Sequence, residues 1–522
     1  MRALISTANH EGLIELAQEL HNHTVSMFAT ENTLKVLAAE GIHASSVSEL
    51  SRFPEILEDE ISALHPIIIG GIVARRDLPR HIEEMSVHGI DPIDLVIVNL
   101  YPFAALAHHP DTTPDEVLAR VDVGGIALIR AAAKNFRDVI VLTRPEDYAS
   151  VMQEWSEQGE VSLETRRRLA ITAFQYTATY DTAIAEYLRM AESECFPSEL
   201  TLPLERLQTL RYGENPHQQA AFYRWSGYSN SIGLPTVAGA QFLHGKHLSF
   251  NNLLDLDVAL GTVQCFTAPT VAIIKHTNPC GLACDDVLLE AYKKAHACDP
   301  IASNSGVIGS NRPINEVTAH EMSQLSYEAI IAPEFSPEAV SLLRKRPQIR
   351  LLATNCAIEP RAISSQALHH AHPEVRSISG GLLLQTPDIV GERESEYSVV
   401  SEREPTLDEV TNLMFAWKAV RRVKSNAVVL ARKLMLVGIG AGQMSRVSSV
   451  QLAVEKAASR ARGTVLASDA AFPFADAVEA AARAGITAII QPGGSERDED
   501  VIREANHYAI ALIFTGKRHY RH

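Results

Sequence analysis

The chain is poor in positive charge, in cysteine and in long apolar runs, and each shortage excludes something. Its 47 Lys and Arg stand against 63 Asp and Glu in 522 residues, a formal net charge of −16. Broad nucleic-acid binding wants a basic field and is not expected. An anionic substrate stays open, because a few arginines in one cleft reverse the sign locally. Six cysteines in this length make no disulfide framework. Cys280 and Cys284 are spaced C-x3-C, unlike the C-x2-C of a zinc deaminase, and the H-x-E pattern of His81-Ile82-Glu83 lies far upstream. No zinc site is therefore expected. No stretch reaches the roughly 20 apolar residues that span a bilayer. The opening MRALISTANHEGL has neither the apolar run nor the cleavage pattern of a signal peptide, and the cytoplasm is the expected compartment.

What is present is ordinary globular material, 46% apolar and 21% charged, long enough for two to four domains of roughly 100–200 residues. Over residues 1–150, apolar runs at 3–6, 25–29, 94–100 and 139–143 alternate with helical patterns at 11–20, 32–39 and 126–134. That alternation predicts a parallel, doubly wound α/β sheet. Residues 151–200 read as a helical connector, and the two prolines of SECFPSELTLPLE put a boundary near 200. Strand-like runs return at 271–274, 329–332, 427–431 and 488–491, and 406–424 reads as a helix with a Thr406/Glu409 capping box. The polar stretch 386–405 is expected to divide the second half into 201–385 and 386–522. No short repeat is visible.

Several segments carry chemistry. In VAIIKHTNPCG a buried strand ends in Lys275 and His276, followed by the turn-forming Asn278-Pro279. The open end of an α/β sheet is the usual place for a site. Residues 211–218 (RYGENPHQ) are a dense polar loop. Asn426, closing the 406–424 helix, reads as a C-cap. Residues 438–446 (GIGAGQMSR) resemble a phosphate cradle, but the last glycine of a dinucleotide fingerprint is missing and no NAD site is expected. The end, FTGKRHYRH, is a basic tail whose preceding strand-like run at 509–514 can dock Arg518.

Taken together, RYGENPHQ, HGKHLSFNNLLDLD, KHTNPCG, VKSNAVVLA, GIGAGQMSRV, FPFADAVEAA, IIQPGGSERD and TGKRHYRH, in this order, resemble the family that joins AICAR formyltransferase to IMP cyclohydrolase. RFPE at 52–55, LHP at 64–66, NLYPF at 99–103, VDVGG at 121–125 and RAAAKN at 130–135 extend the likeness to the N-terminal third. The resemblance implies a methylglyoxal-synthase-like doubly wound domain followed by a two-subdomain, cytidine-deaminase-like transferase region. It implies formyl transfer from 10-formyltetrahydrofolate, as cosubstrate, to the amine of AICAR, with no metal at the reacting centre. It also implies a homodimer with transferase sites at the interface, and neither nucleic acid nor membrane as partner. Lys275, His276 and Asn426 would be catalytic. Arg211, Tyr212, Gly213, Asn215, Arg446, Phe472, Asp476 and Arg518 would bind substrate. Tyr101, Asp122, Gly124, Gly125 and Lys134 would belong to the cyclohydrolase.

The chain also departs from that pattern. Asn9-His10-Glu11-Gly12 stands for Asp-Lys-Thr-Gly, Thr30-Glu31-Asn32-Thr33 for Ser-Gly-Gly-Thr, and Glu60 to Pro66 for Arg-Val-Lys-Thr-Leu-His-Pro. A carboxylate facing a phosphate costs on the order of a few kcal/mol at an effective dielectric near 20. With Glu11, Glu31 and Glu60 around one pocket, the N-terminal unit is expected not to close the purine ring by the family's mechanism. The alternatives are a full bifunctional enzyme and a non-catalytic, nucleotide-binding paralogue. Asn304 and Ala471 replace two aromatics of the transferase half, which predicts weaker ligand binding.

Overall fold

The computed structural model describes every residue except 55, 57–60, 62, 108–111, 190–195, 227–234, 361–372 and 389–395. Glu60 and Ser62 of the departures above thus lie outside the described residues. Among those described, no helix is long and apolar enough to cross a membrane. The chain forms two compact units, Met1–Glu205 with Trp225–Gly227, and Arg206–Arg224 with Tyr228–His522.

The first unit is a five-stranded parallel sheet of β1 (Arg2–Thr7), β2 (Ser26–Ala29), β3 (Ser45–Ser46), β4 (Leu95–Asn99) and β5 (Ile140–Leu142), in the order β3-β2-β1-β4-β5. Its interior strand β4 is buried along its whole length, as in a sheet covered on both faces. Helices α1 (Leu13–Asn22), α2 (Glu31–Ala39) and α3 (Gly124–Lys134) fall within two residues of the expected ones. The strand order reverses between β1 and β4, so the crevice beyond Thr7 and Asn99 is the natural ligand position. Residues 151–200 are more than a connector. Val151, Met152, Trp155 and, from α4 (Leu163–Arg189), Leu169, Ala170, Ala173 and Tyr180 belong to the same apolar core as the sheet.

Strands β6 (Leu204–Leu210) and β7 (Ala220–Trp225), most of whose residues fall in the second unit, form one ribbon, and β14 (Glu374–Ile378) and β15 (Gly381–Gln385) of that unit another. The remaining strands are β8 (Gln241–His244), β9 (Thr270–Lys275), β10 (Asn278–Cys284), β11 (Val307–Ser310), β12 (Ala329–Ala332), β13 (Arg350–Ala353), β16 (Ser398–Val399), β17 (Val428–Arg432), β18 (Met435–Gly440), β19 (Val465–Ser468), β20 (Ala488–Gln491) and β21 (Ala511–Phe514). They make one sheet, β16-β21-β20-β19-β17-β18-β10-β9-β11-β12-β13-β8.

From its centre outward each side of that sheet repeats the other. An antiparallel hairpin (β9/β10, β17/β18) pairs antiparallel with the next strand, two parallel strands follow, and an antiparallel edge strand closes. In each half a capping-box helix follows the edge strand in the chain, α5 (Phe250–Val263) after Ser249 and α7 (Leu407–Val420) after Thr406. The duplication is structural, and no short sequence repeat announces it. Asn278-Pro279, expected as a turn, begins β10. The turn itself is His276-Thr277, at φ 53° and 60°, and its counterpart is Lys433-Leu434, at 54° and 55°. Two positive-φ residues in succession define the two-residue hairpin whose twist matches that of the strands.

After the hairpins come α6 (Leu288–Cys298) and α8 (Arg446–Ala457). The glycine-rich run resembling a phosphate cradle serves this packing instead: a Cβ on Gly438 or Gly440 would run into the carbonyl oxygens of Ala453 or Ser449 on α8. Gly281 of β10 meets Ala295 of α6 in the same way. Gly440→Ala is expected to lower stability by about 1–3 kcal/mol, the usual penalty of overpacking, read as a fall in the denaturation midpoint.

Candidate active site

Strand β9 is buried from Thr270 to Ile274, so only its end reaches the surface, where Lys275 is half-buried and His276 exposed. The Lys275 Nζ donates to the carbonyl of Asn304 at 2.9 Å. Asp255 on α5 accepts the Thr277 amide at 2.6 Å, which holds the turn from below. Asn278 ties it sideways, its Oδ1 accepting the Lys424 amide at 2.9 Å. Helix α7 ends at Val420, so Asn426 is no C-cap. Its Nδ2 donates to the Gln443 carbonyl at 2.9 Å and its Oδ1 accepts Arg446 Nη2 at 2.8 Å.

Behind that loop is a buried ion pair. Arg446 joins Asp469, their side chains 4% and 0% exposed, and Asp469 also accepts Ser425 Oγ and, at 3.1 Å, the Ala427 amide. Arg446, expected to bind substrate directly, is therefore committed to the frame. The C-terminal tail is docked as well. The Arg521 amide donates to Ser425 Oγ at 3.0 Å, and its Nη1 donates to the carbonyls of Thr277 at 3.1 Å and Arg422 at 2.8 Å. Burial, helped by the Arg422 guanidinium, pushes the Arg521 pKa down.

A cleft of about 240 Å³ opens beside the pair, lined among others by Lys275, His276, Asn278, Asp299, Gly438 and Lys456. Its cysteines are inert: burial pushes Cys280 up to about 11 and Cys298 up to about 12, far from the thiolate a nucleophile needs. Phe472, expected at the ligand, is fully buried in the core, its amide donating to Gln491 at 2.6 Å. Size and apolarity drew that ring inward; the exposed aromatic of the segment is Phe474, under the Arg497 guanidinium at 4.9 Å. Asp476 is exposed at the start of α9 (Asp476–Arg483). Exposed Arg518 stacks on Tyr520 at 4.3 Å. In the 211–218 loop Arg211 lies over Tyr212 at 5.8 Å, Gly213 donates to the Gln218 carbonyl at 3.0 Å and Asn215 to Gln218 Oε1 at 2.8 Å. These contacts are internal to the loop and do not bring it to Lys275.

In the first unit the switch point is built from amides. Asn99 Oδ1 accepts the Ala8 and Asn9 amides, both at 2.7 Å, and Thr33 Oγ1 accepts the Thr7 amide at 3.0 Å. Asn32 reaches Tyr101 at 3.4 Å, and Asp122 Oδ1 accepts the Gly125 amide at 2.6 Å, next to Gly124. Lys134 closes α3 at its far end, roughly 15 Å along the axis from Gly124 at 1.5 Å per residue. Its side chain is exposed there. Glu31 pairs with Lys35 one turn on, at 2.6 Å, so one of the three expected repulsive carboxylates is already compensated.

Fold and site define a two-unit α/β enzyme, with a lysine–histidine pair on a strained turn in one unit and an amide-lined crevice in the other. The chain belongs to the AICARFT/IMPCHase bienzyme family, whose model matches residues 132–456, while a model of the MGS-like domain matches residues 12–127. The bifunctional purine biosynthesis protein PurH of Anoxybacillus flavithermus is 44% identical over 522 residues, covering 100% of this chain and 99% of the relative. That of Bacillus cereus strain ATCC 10987 is 45% identical over 521 residues, with the same coverage. A solved structure titled "Crystal structure of ForH" aligns with 36% of this chain and 98% of its own at 33% identity, with a TM-score of 0.33. The full-length relatives are named for two activities. They favour the bifunctional reading over the expected silence of the N-terminal unit.

Sequence reading missed Asp255, Ser425, Asp469 and Arg521. The available signal was an acidic residue amid the apolar positions of 250–263 and an aspartate directly after a buried strand. Removing one member of a buried pair leaves the other uncompensated, at about 3–5 kcal/mol. Arg446→Met is expected to destabilise by that amount in chemical denaturation, and adding Asp469→Leu to recover only part of it, because the Ser425 hydroxyl and the Ala427 amide then lose their acceptor.

Proposed function

We propose that the second unit transfers a formyl group from 10-formyltetrahydrofolate to AICAR, and that the first closes the product to IMP. The presentation of Lys275 and His276 together, on a turn held from three sides above a cleft, carries the first half. An aminoimidazole nitrogen conjugated with a carboxamide is a poor nucleophile, and His276 takes its proton as it attacks the formyl carbon. Lys275 stabilises the oxyanion of the tetrahedral intermediate. Asn426 spends one amide hydrogen on Gln443 and keeps a second for the formyl oxygen. His276 then returns the proton to the departing folate nitrogen. Exposed Arg211 and Arg518 suit the ribose phosphate through their guanidinium forks.

The ring-closing half is supported by Tyr101, Asp122, Gly124 and Gly125 standing near the switch point, by the pairing of Glu31 with Lys35, and by the two-activity names of the relatives. A pair of copies sharing the transferase sites fits Val375, Ile378, Leu382 and Leu383, which are 39–56% exposed on the β14–β15 ribbon.

The test incubates the chain with AICAR and 10-formyltetrahydrofolate and follows formyl-AICAR and IMP by chromatography. Both are expected, and Lys275→Ala is expected to lower transfer about 100-fold or more with little change in AICAR binding. Formyl-AICAR without IMP sinks the ring-closing half. Absence of both sinks the whole reading.

A further inference from the structure

The duplicated sheet contains its own control for the catalytic turn. In the first half, Asp255 Oδ1 accepts the amide of the second turn residue, Thr277, at 2.6 Å and 22 residues' separation. In the second, Asn412 Oδ1 accepts the amide of the second turn residue, Leu434, at 2.9 Å and the same separation of 22. Both acceptors sit on the capping-box helix of their half, and both turns have positive φ at both residues, within 5° of each other. Holding such a turn needs an acceptor oxygen, and a neutral amide supplies it. The negative charge of Asp255 exceeds that task.

What differs is the residue on the turn, His276 in one half and Lys433 in the other. We propose that Asp255 is a positioning residue for the transfer reaction, its charge supporting the imidazolium that His276 becomes on taking the acceptor's proton. The proposal rests on the formyl-transfer reading above. The proton moves from the attacking amine to His276 as the new carbon–nitrogen bond forms, and on to the folate nitrogen as the old bond breaks.

The surroundings fit this role. Burial raises the Asp255 carboxyl, while the Thr277 amide and His276 draw it down, and Glu328 faces it as a second carboxylate. Glu328 is engaged by Asn252 Nδ2 at 2.5 Å, Lys275 by the Asn304 carbonyl, and Arg521 by the Thr277 carbonyl. Asp255 is thus the carboxylate hydrogen-bonded to the turn itself.

The experiment compares the full chain with Asp255→Asn and, as mirror, Asn412→Asp. Asp255→Asn keeps the acceptor and loses the charge. It is expected to leave Tm within about 2 °C and the AICAR KM within about twofold, to lower kcat for transfer about tenfold or more, and to move the acid limb of kcat/KM to lower pH. The sign follows from the charge: a neighbouring carboxylate favours the protonated form of a base, so its removal moves that limb down. Asn412→Asp is expected to leave transfer unchanged. A kcat within twofold of the parent with an unmoved acid limb overturns the proposal. So does an Asp255→Asn chain that fails to fold, because the charge would then serve the fold. The His276 imidazole, titrated by NMR in both proteins, reads the coupling without turnover. An unchanged midpoint overturns the proposal even in a chain that transfers nothing, a result that would count separately against the formyl-transfer reading.

Discussion

The buried carboxylate of Asp469 is the point from which the candidate site of the second unit hangs. It gathers the guanidinium of Arg446, the hydroxyl of Ser425 and the amide of Ala427, while its own carbonyl accepts the His519 amide. Four separate stretches of chain are thereby locked to one another: the 424–427 loop, the start of α8, the end of β19 and the C-terminal tail. A charge removed from water tolerates no partial arrangement, because a missing partner costs several kcal/mol. The loop carrying Asn426 is held accordingly, and the tail that would otherwise fray becomes part of the wall. Arg521 carries the same rigidity across to the hairpin through the Thr277 carbonyl.

The second constraint is the turn. A lysine and a histidine at the end of a fully buried strand would ordinarily have the freedom of loop residues. Here His276 and Thr277 sit in the left-handed region, a conformation L-residues adopt at a cost. Asp255, Asn278 and Arg521 offset that cost from three directions. The sheet itself does not distinguish this hairpin from its counterpart at Lys433-Leu434. A rigid strained turn is a property of the duplicated fold, and one of the two presents Lys275 and His276.

The first unit shows how misleading a charge count becomes without geometry. Three glutamates where the family has a threonine, a glycine and an arginine suggest a pocket hostile to phosphate. Glu31, however, faces Lys35 along its own helix, and the crevice between β1 and β4 is edged by Asn99, Thr33 and the amides they hold. Substitution at a site changes its electrostatics only to the extent that the new side chain points into it.

Local patterning determined a good deal by itself. The alternation of apolar runs and helical stretches specified the parallel sheet of the first unit, its short β3 excepted, and β9, β12, β17, β20 and β21 of the second, since burial on two faces leaves a continuous apolar run that needs no partner to be recognised. The short motifs placed Lys275 and His276 at a strand end. Tertiary structure alone decided the rest. Asn278-Pro279 became a strand because its ladder partner β9 was present. Gly438 and Gly440 proved to be clearance for α8, and Phe472 went into the core. Asp255 and Asp469 acquired meaning only through partners tens of residues away. A sequence window sees propensity and period. Long-range hydrogen bonds, close helix–strand approach and the duplication of a whole sheet depend on contacts between residues that no window contains.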